Sequence, residues 1–172
     1  ALDLAKFYQS KSAAVLVDLK LNIIVATSVD TRDNLPIKHS TMNIIDQISK
    51  RQQNEIRENA SFEDEILKSF LESNTDENYH IKYDSLKEDL EKKLDKNDYL
   101  CTNYAIFLTH EPCCMCSMAL IHSRISKVFY VFNTKFGYLN TQCRLHYVKS
   151  LNHSYEVFEA IDFHLDSEYT SY

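Results

Sequence analysis

The chain has no tryptophan, a single glycine among 172 residues, and no long apolar run. Uninterrupted apolar stretches such as Ala13 to Val17 and Ile23 to Ala26 fall far short of the roughly 20 residues that span a bilayer, so no membrane partner is expected. A charged-then-apolar leader is missing from the start, and a chain that opens at Ala1 without Met reads as the C-terminal part of something longer. An even set of cysteines is missing too. The five present, two of them spaced as a metal-binding pair, argue for a reduced compartment rather than a disulfide scaffold. No internal repeat is visible. The scarcity of glycine and tryptophan carries no functional reading by itself.

Positive charge is also missing. The net charge is −6, with 44% of residues apolar, enough for one good core in a single domain over residues 1–172. From Arg51 to Asp98 there are 14 acidic and 8 basic residues, a net of −6, and the remainder is neutral. Neither part is the basic surface of a self-sufficient nucleic-acid binder. An RNA ligand would need partners or further sequence to supply much of the positive field.

Leu2 to Tyr8 reads as the end of a helix. The β-branched runs Ala13–Val17 and Ile23–Ala26, with Asp18 to Asn22 between them, read as a hairpin. From His39 the residues Met42, Ile44, Ile45 and Ile48 fall at helical spacing, which puts His39 at a helix start. An acidic insertion at about 52–98 follows. It is either solvated and partly disordered or holds two short helices, one opened by a capping box at Ser61–Asp64 and one by Ser85. Order returns with a strand at Tyr104–Leu108 and a helix over Cys113–Ser123, with Pro112 suited to its first position. A strand at Lys127–Phe132 and a last one at Tyr155–Ile161 complete five. This order predicts a three-layer α/β/α fold around a central mixed five-stranded sheet.

Chemistry concentrates at two places. His39-Ser40-Thr41-Met42 and Pro112-Cys113-Cys114-Met115-Cys116 match the pattern H-x-E followed by P-C-x-x-C, in which a His and two Cys hold Zn²⁺ and the Glu moves protons. Alone, a C-x-x-C could be redox-active or merely buried. Preceded by Pro and joined to an upstream His at a second helix start, it becomes a specific metal signal. Three protein ligands leave an open fourth position. Thr41 stands where the Glu should be, and a hydroxyl is no base near neutral pH, so at least the roughly 10²–10⁴ of general acid–base catalysis is forfeited. Glu111, the acidic residue beside the ligands, is not expected to replace it.

Asn34 to Met42 and Thr109 to Ile125 closely resemble the tRNA adenosine deaminase family. Within it they are similar to the non-catalytic subunit of the heterodimeric eukaryotic enzyme, which replaces the catalytic Glu by an apolar residue, commonly Val, before a Met. Thr41 is nearly isosteric with Val, and Met42 follows. The likeness covers about residues 10–50 and 99–161. It implies a cytidine-deaminase-like fold with Zn²⁺ at His39, Cys113 and Cys116. It implies a heterodimer with a catalytic subunit carrying an intact H-x-E, converting adenosine to inosine at wobble position 34 of tRNA. Residence in cytoplasm and nucleus is implied with it, as is an N-terminal RNA-binding region outside this sequence.

Two rival readings stay open: an active nucleoside, nucleotide or RNA deaminase with a non-standard acid, and a zinc-stabilised interaction module. Candidate RNA or partner contacts are Arg124, Lys127, Arg144 and Lys149, with Met118 and His122 on the helix after the cysteines. Along that helix Ala119 and Ile121 are further candidates for a subunit contact. Cys114 is expected to pack rather than ligate, and Cys101 and Cys143 to be unpaired thiols. His110, His122, His146 and His153 could touch RNA, but ordinary hydrogen-bonded roles are expected of them. The tail with Tyr169 and Tyr172 is either loose or folded over the metal.

Overall fold

A computed structural model describes residues 1–52 and 100–160. The insertion with its two candidate helices, and the tail with Tyr169 and Tyr172, lie outside the described residues. The elements are α1 (Leu2–Phe7), β1 (Ala13–Asp18), β2 (Ile23–Val29), α2 (Ser40–Gln52), β3 (Tyr104–His110), α3 (Cys114–His122), β4 (Lys127–Phe132), a 3-10 turn (Leu145–Tyr147) and β5 (Glu156–Glu159). They form one five-stranded sheet in the order β2-β1-β3-β4-β5. The β1–β2 and β1–β3 pairs are antiparallel, while β3–β4 and β4–β5 are parallel. The sheet is therefore mixed, as the element order predicts. β5 is shorter than the predicted run.

Alternation along the strands sorts the core. Ala14, Leu16, Ile106, Leu108, Val128 and Tyr130 share a face with Ile44 and Ile48 of α2 and Leu120 and Ile121 of α3. Ala13 and Val15 point the other way, against Leu4 and Ala5 of α1. Helices thus lie on both faces, giving the three layers. On the α1 side, Phe107, Phe129 and Phe158 occupy paired positions on β3, β4 and β5 and stack at 4.6 and 4.7 Å between ring centroids.

The inward side of α2 carries Thr41, Ile44 and Ile48, all buried. Met42 and Ile45 are only half-buried, so the helix is rotated from the face that apolar periodicity alone suggests. The reason lies at its flank. β2 is an edge strand, and three α2 side chains cover its outer carbonyls: Asn43 Nδ2 donates to Val29 O at 2.9 Å, Gln47 Nε2 to Thr27 O at 3.1 Å, and Arg51 Nη1 to Val25 O. Four residues of helix rise about 6 Å and two residues of strand about 6.6 Å, so each helical step meets the next free carbonyl. This fixes α2 along β2, protects the edge, and turns Thr41 toward the sheet.

At the hairpin, Asp18 Oδ1 accepts the N–H of Lys20 at 2.7 Å and of Leu21 at 3.1 Å. Asn22 follows at φ 54, a left-handed conformation that Asn tolerates.

Candidate metal centre

β3 and β4 are parallel neighbours joined by α3, so residues just past the end of β3 reach the start of that helix at the carboxyl edge of the sheet, where open α/β sheets place their ligands. His39 immediately precedes α2. Its N–H donates to Ile37 O at 2.9 Å and its carbonyl accepts the Asn43 N–H at 3.0 Å, so the first helical bond sets its backbone. Cys113 is the N-cap of α3 (φ −68, ψ 173), and Cys116 sits one turn on, buried. Pro112 therefore lies one residue before the cap and not at the predicted first helical position. Extended Cys113 backbone aims its sulfur back over the helix end.

The ligand atoms of His39, Cys113 and Cys116 all lie within 4.8 Å of one another. His39 Nδ1 stands 3.7 Å from Cys113 Sγ. Tetrahedral zinc with sulfur and nitrogen ligands needs separations of roughly 3.5–3.8 Å, so this donor set fits. The Cys113 thiol is pulled down to about 5, foremost by a hydrogen bond from the Cys116 thiol, with the Cys116 and Met115 N–H groups and His39 contributing. Cys116 is pushed up by the charged Cys113 sulfur and by burial. The pair thus shares one proton, which a metal would displace.

Thr41 is buried, and its hydroxyl opposes the rise in the Cys116 pKa. Where a deaminase carries its base, this chain has a small hydroxyl and no carboxylate.

Glu111 has a different task. Its Oε1 accepts three backbone N–H groups, from Leu139 at 2.9 Å, Asn140 at 2.6 Å and Thr141 at 3.0 Å, and its Oε2 accepts the Thr141 hydroxyl. Burial alone would raise its pKa. The bonds from Thr141, Asn140 and Leu139 outweigh this and hold it below the ordinary carboxylate range. Such an acid is a poor proton shuttle near neutral pH. The chain's one glycine, Gly137, lies against it: a Cβ there would stand 1.8 Å from Glu111 Oε2. The same loop bridges Gly137 to Cys113 and donates the Tyr138 N–H to Pro112 O at 2.9 Å. The carboxylate holds 134–141 against the start of the metal-site helix.

Of the other expected contacts, Met118, His122 and Arg124 come together with Leu151 and His153 along one cleft. Ile121 is buried in the chain's own core rather than available for a subunit contact. Lys127 belongs to the opposite face of the sheet, 3.7 Å from Glu156 and over the Phe158 ring. Arg144 and Lys149 are exposed and are not among the residues that line the cleft. Cys114 is exposed, not packed as expected, because N-terminal helix positions one residue apart diverge by about 100°. Cys101 and Cys143 are free thiols. His110 Nδ1 pairs with Thr109 Oγ1 at 3.0 Å and His153 Nε2 with Ile125 O at 2.6 Å. His146 departs from the expectation, since its buried Nδ1 has no hydrogen-bond partner among the described residues. Sequence reasoning missed the Glu111 cradle and the α2–β2 ladder. The signal available for the first was one glycine in a chain that otherwise avoids it.

Residues 2–132 match the model of the cytidine and deoxycytidylate deaminase zinc-binding region. The chain is 49% identical over 63 residues to a zebrafish (Danio rerio) protein named probable inactive tRNA-specific adenosine deaminase-like protein 3, covering 37% of this chain and 19% of that one. It is 32% identical over 146 residues to the tRNA-specific adenosine deaminase subunit tad3 of Schizosaccharomyces pombe, covering 83% of this chain and 36% of that one. This chain thus spans well under half the length of these curated relatives. A structure from a study of A-to-I editing by tRNA:A34 deaminases superposes with a TM-score of 0.55 at 16% identity, over 92% of both chains, which establishes the shared fold. On the family match and the His39, Cys113 and Cys116 geometry, the chain belongs to the cytidine and deoxycytidylate deaminase zinc-binding family.

Proposed function

We propose that this chain is the zinc-binding, non-catalytic subunit of a tRNA-specific adenosine deaminase that makes inosine at wobble position 34. The observation that carries this is a metal-competent His39, Cys113 and Cys116 triad with buried Thr41 at the position of the base. His39 Nδ1 and the two sulfurs would hold Zn²⁺. In an active family member that ion supplies Lewis acidity toward water. Here Glu111 secures the surrounding loop, and neither it nor Thr41 is suited to move a proton near neutral pH. Catalysis then belongs to a second chain with an intact H-x-E, acting on tRNA bound by the pair in the cytoplasm and nucleus. The names of the relatives, one a subunit and one probably inactive, support this division.

The test is deamination of an anticodon stem-loop by the chain alone, by the complex, and by the complex carrying Thr41→Ala. Activity should require the complex and survive the substitution. Activity of the isolated chain, or its loss in the complex on Thr41→Ala, would overturn the reading in favour of an active deaminase.

A further inference from the structure

Between Pro112 and Tyr155 the chain has no Asp or Glu, yet it carries Arg124, Lys127, Lys135, Arg144 and Lys149. In a protein of net charge −6 this is a reversal of sign along the sequence, and one of these cations, Arg124, stands at a cleft of about 170 Å³ where α3 ends, lined also by Met118, Leu151, His122, Asn152 and His153. His122 and Arg124 are exposed. Arg124 gives one N–H to Asn152 O at 3.0 Å, which sets the guanidinium beside the cleft and leaves further donors of its five. The His153 ring is fixed by its bond to Ile125 O.

The backbone beneath Arg124 is informative. Ile125 N–H bonds to Leu120 O and Arg124 N–H to Ile121 O, the double closure that ends many helices. Arg124 therefore holds the position at which glycine is favoured, and it does so at φ 63, a conformation that disfavours any residue with a Cβ. A long cation occupies a place where its backbone prefers glycine, at a cleft whose lining, among the described residues, includes no Asp or Glu. A strained residue of this kind points to a use for its side chain.

We propose that this cleft binds a backbone phosphate of single-stranded RNA, with Arg124 as the principal donor, His122 beside it, and the apolar wall of Met118 and Leu151 against the adjoining ribose. The proposal deepens the reading of the chain as a tRNA deaminase subunit and rests on it.

The experiment uses the full-length protein purified together with its accompanying chain. The probe is a fluorescently labelled anticodon stem-loop, and affinity is followed across a salt series. Loss of one phosphate contact lowers the slope of log affinity against log salt by about 0.7 for single strands, or about fourfold in affinity near 0.15 M salt. Arg124→Gly should show that loss while its unfolding temperature stays level or rises, because glycine relieves the turn. Lys127→Ala, which removes a cation from the opposite sheet face, should leave both slope and affinity unchanged. Equal losses in the two variants would reduce the effect to general charge and overturn the proposal. An unchanged slope in a folded Arg124→Gly variant would overturn it too. Release of the second chain by Arg124→Gly would make the cleft a protein interface, again overturning it. Failure of the underlying reading looks different: the wild-type preparation would contain no second deaminase chain and would not bind the stem-loop.

Discussion

Gly137→Ala tests whether the lone glycine is structural. The added methyl would meet Glu111 Oε2 at 1.8 Å, its Cδ at 2.0 Å and Oε1 at 2.6 Å. All three are atoms at the end of a flexible side chain, which ordinarily moves aside cheaply. Here it cannot, because that carboxylate accepts the N–H groups of Leu139, Asn140 and Thr141 and the Thr141 hydroxyl. Moving it strips an ionised acceptor from several partly buried donors. Hydrogen bonds to charged groups contribute about 1.5–3 kcal/mol each, though not additively, so a net cost of roughly 2–5 kcal/mol is expected. For a domain of this size that lowers the unfolding temperature by about 5–15 °C. Thermal or urea unfolding of the purified protein reads it directly. The double variant Gly137→Ala with Glu111→Ala should lose less than the sum of the singles, since the clash needs both partners. A Gly137→Ala variant within about 0.5 kcal/mol of the parent would refute the close approach and the cradle with it.

Three further outcomes follow from the geometry. Because Glu111 is held below its ordinary value of 4.5, its stabilisation is present above that pH and fades as pH falls below it toward the lower folded value; Glu111→Gln should be less stable at neutral pH and show a shallower acid limb in unfolding. Gln47→Ala removes the middle rung between α2 and β2 and should cost about 1–2 kcal/mol, with zinc content unchanged. Cys113→Ser should purify without stoichiometric zinc, and chelation of the parent should lower its unfolding temperature; undiminished zinc in that variant, by elemental analysis, would remove Cys113 from the ligand set.

The strands were legible as short runs rich in β-branched and aromatic residues, such as Ala13–Val17 and Lys127–Phe132, and α2 by the helical spacing of the apolar residues after His39. The candidate metal residues were legible because metal-ligand chemistry constrains both identity and spacing. What escaped has a common physical character. The Asn43, Gln47 and Arg51 ladder joins side chains to backbone carbonyls of a strand, and backbone acceptors leave no mark in sequence. The Glu111 cradle likewise depends on N–H groups 28 to 30 residues downstream. Cys114 is exposed and not packed, because a helical neighbour of Cys113 points away from the candidate metal site and at a helix end that side faces solvent.

The persistence of metal ligands without the catalytic base has a mechanical explanation in this fold. His39 is continuous with α2, and Cys113 and Cys116 belong to α3. Cys113 also bridges to Gly137 in the loop gathered by Glu111. The ligands therefore stand where two helices and a long loop converge, and each is part of how those elements are held. A base at position 41 would hold nothing comparable. It would place a carboxylate in a buried position beside two sulfurs that share a negative charge, which costs stability unless a metal and a substrate proton offset it. Substituting Thr there relieves that cost and adds a hydroxyl for Cys116. Losing any ligand would instead leave the convergence of α2, α3 and the loop without its tie. On the proposed non-catalytic role, the base is the residue this architecture can give up and the ligands are those it cannot.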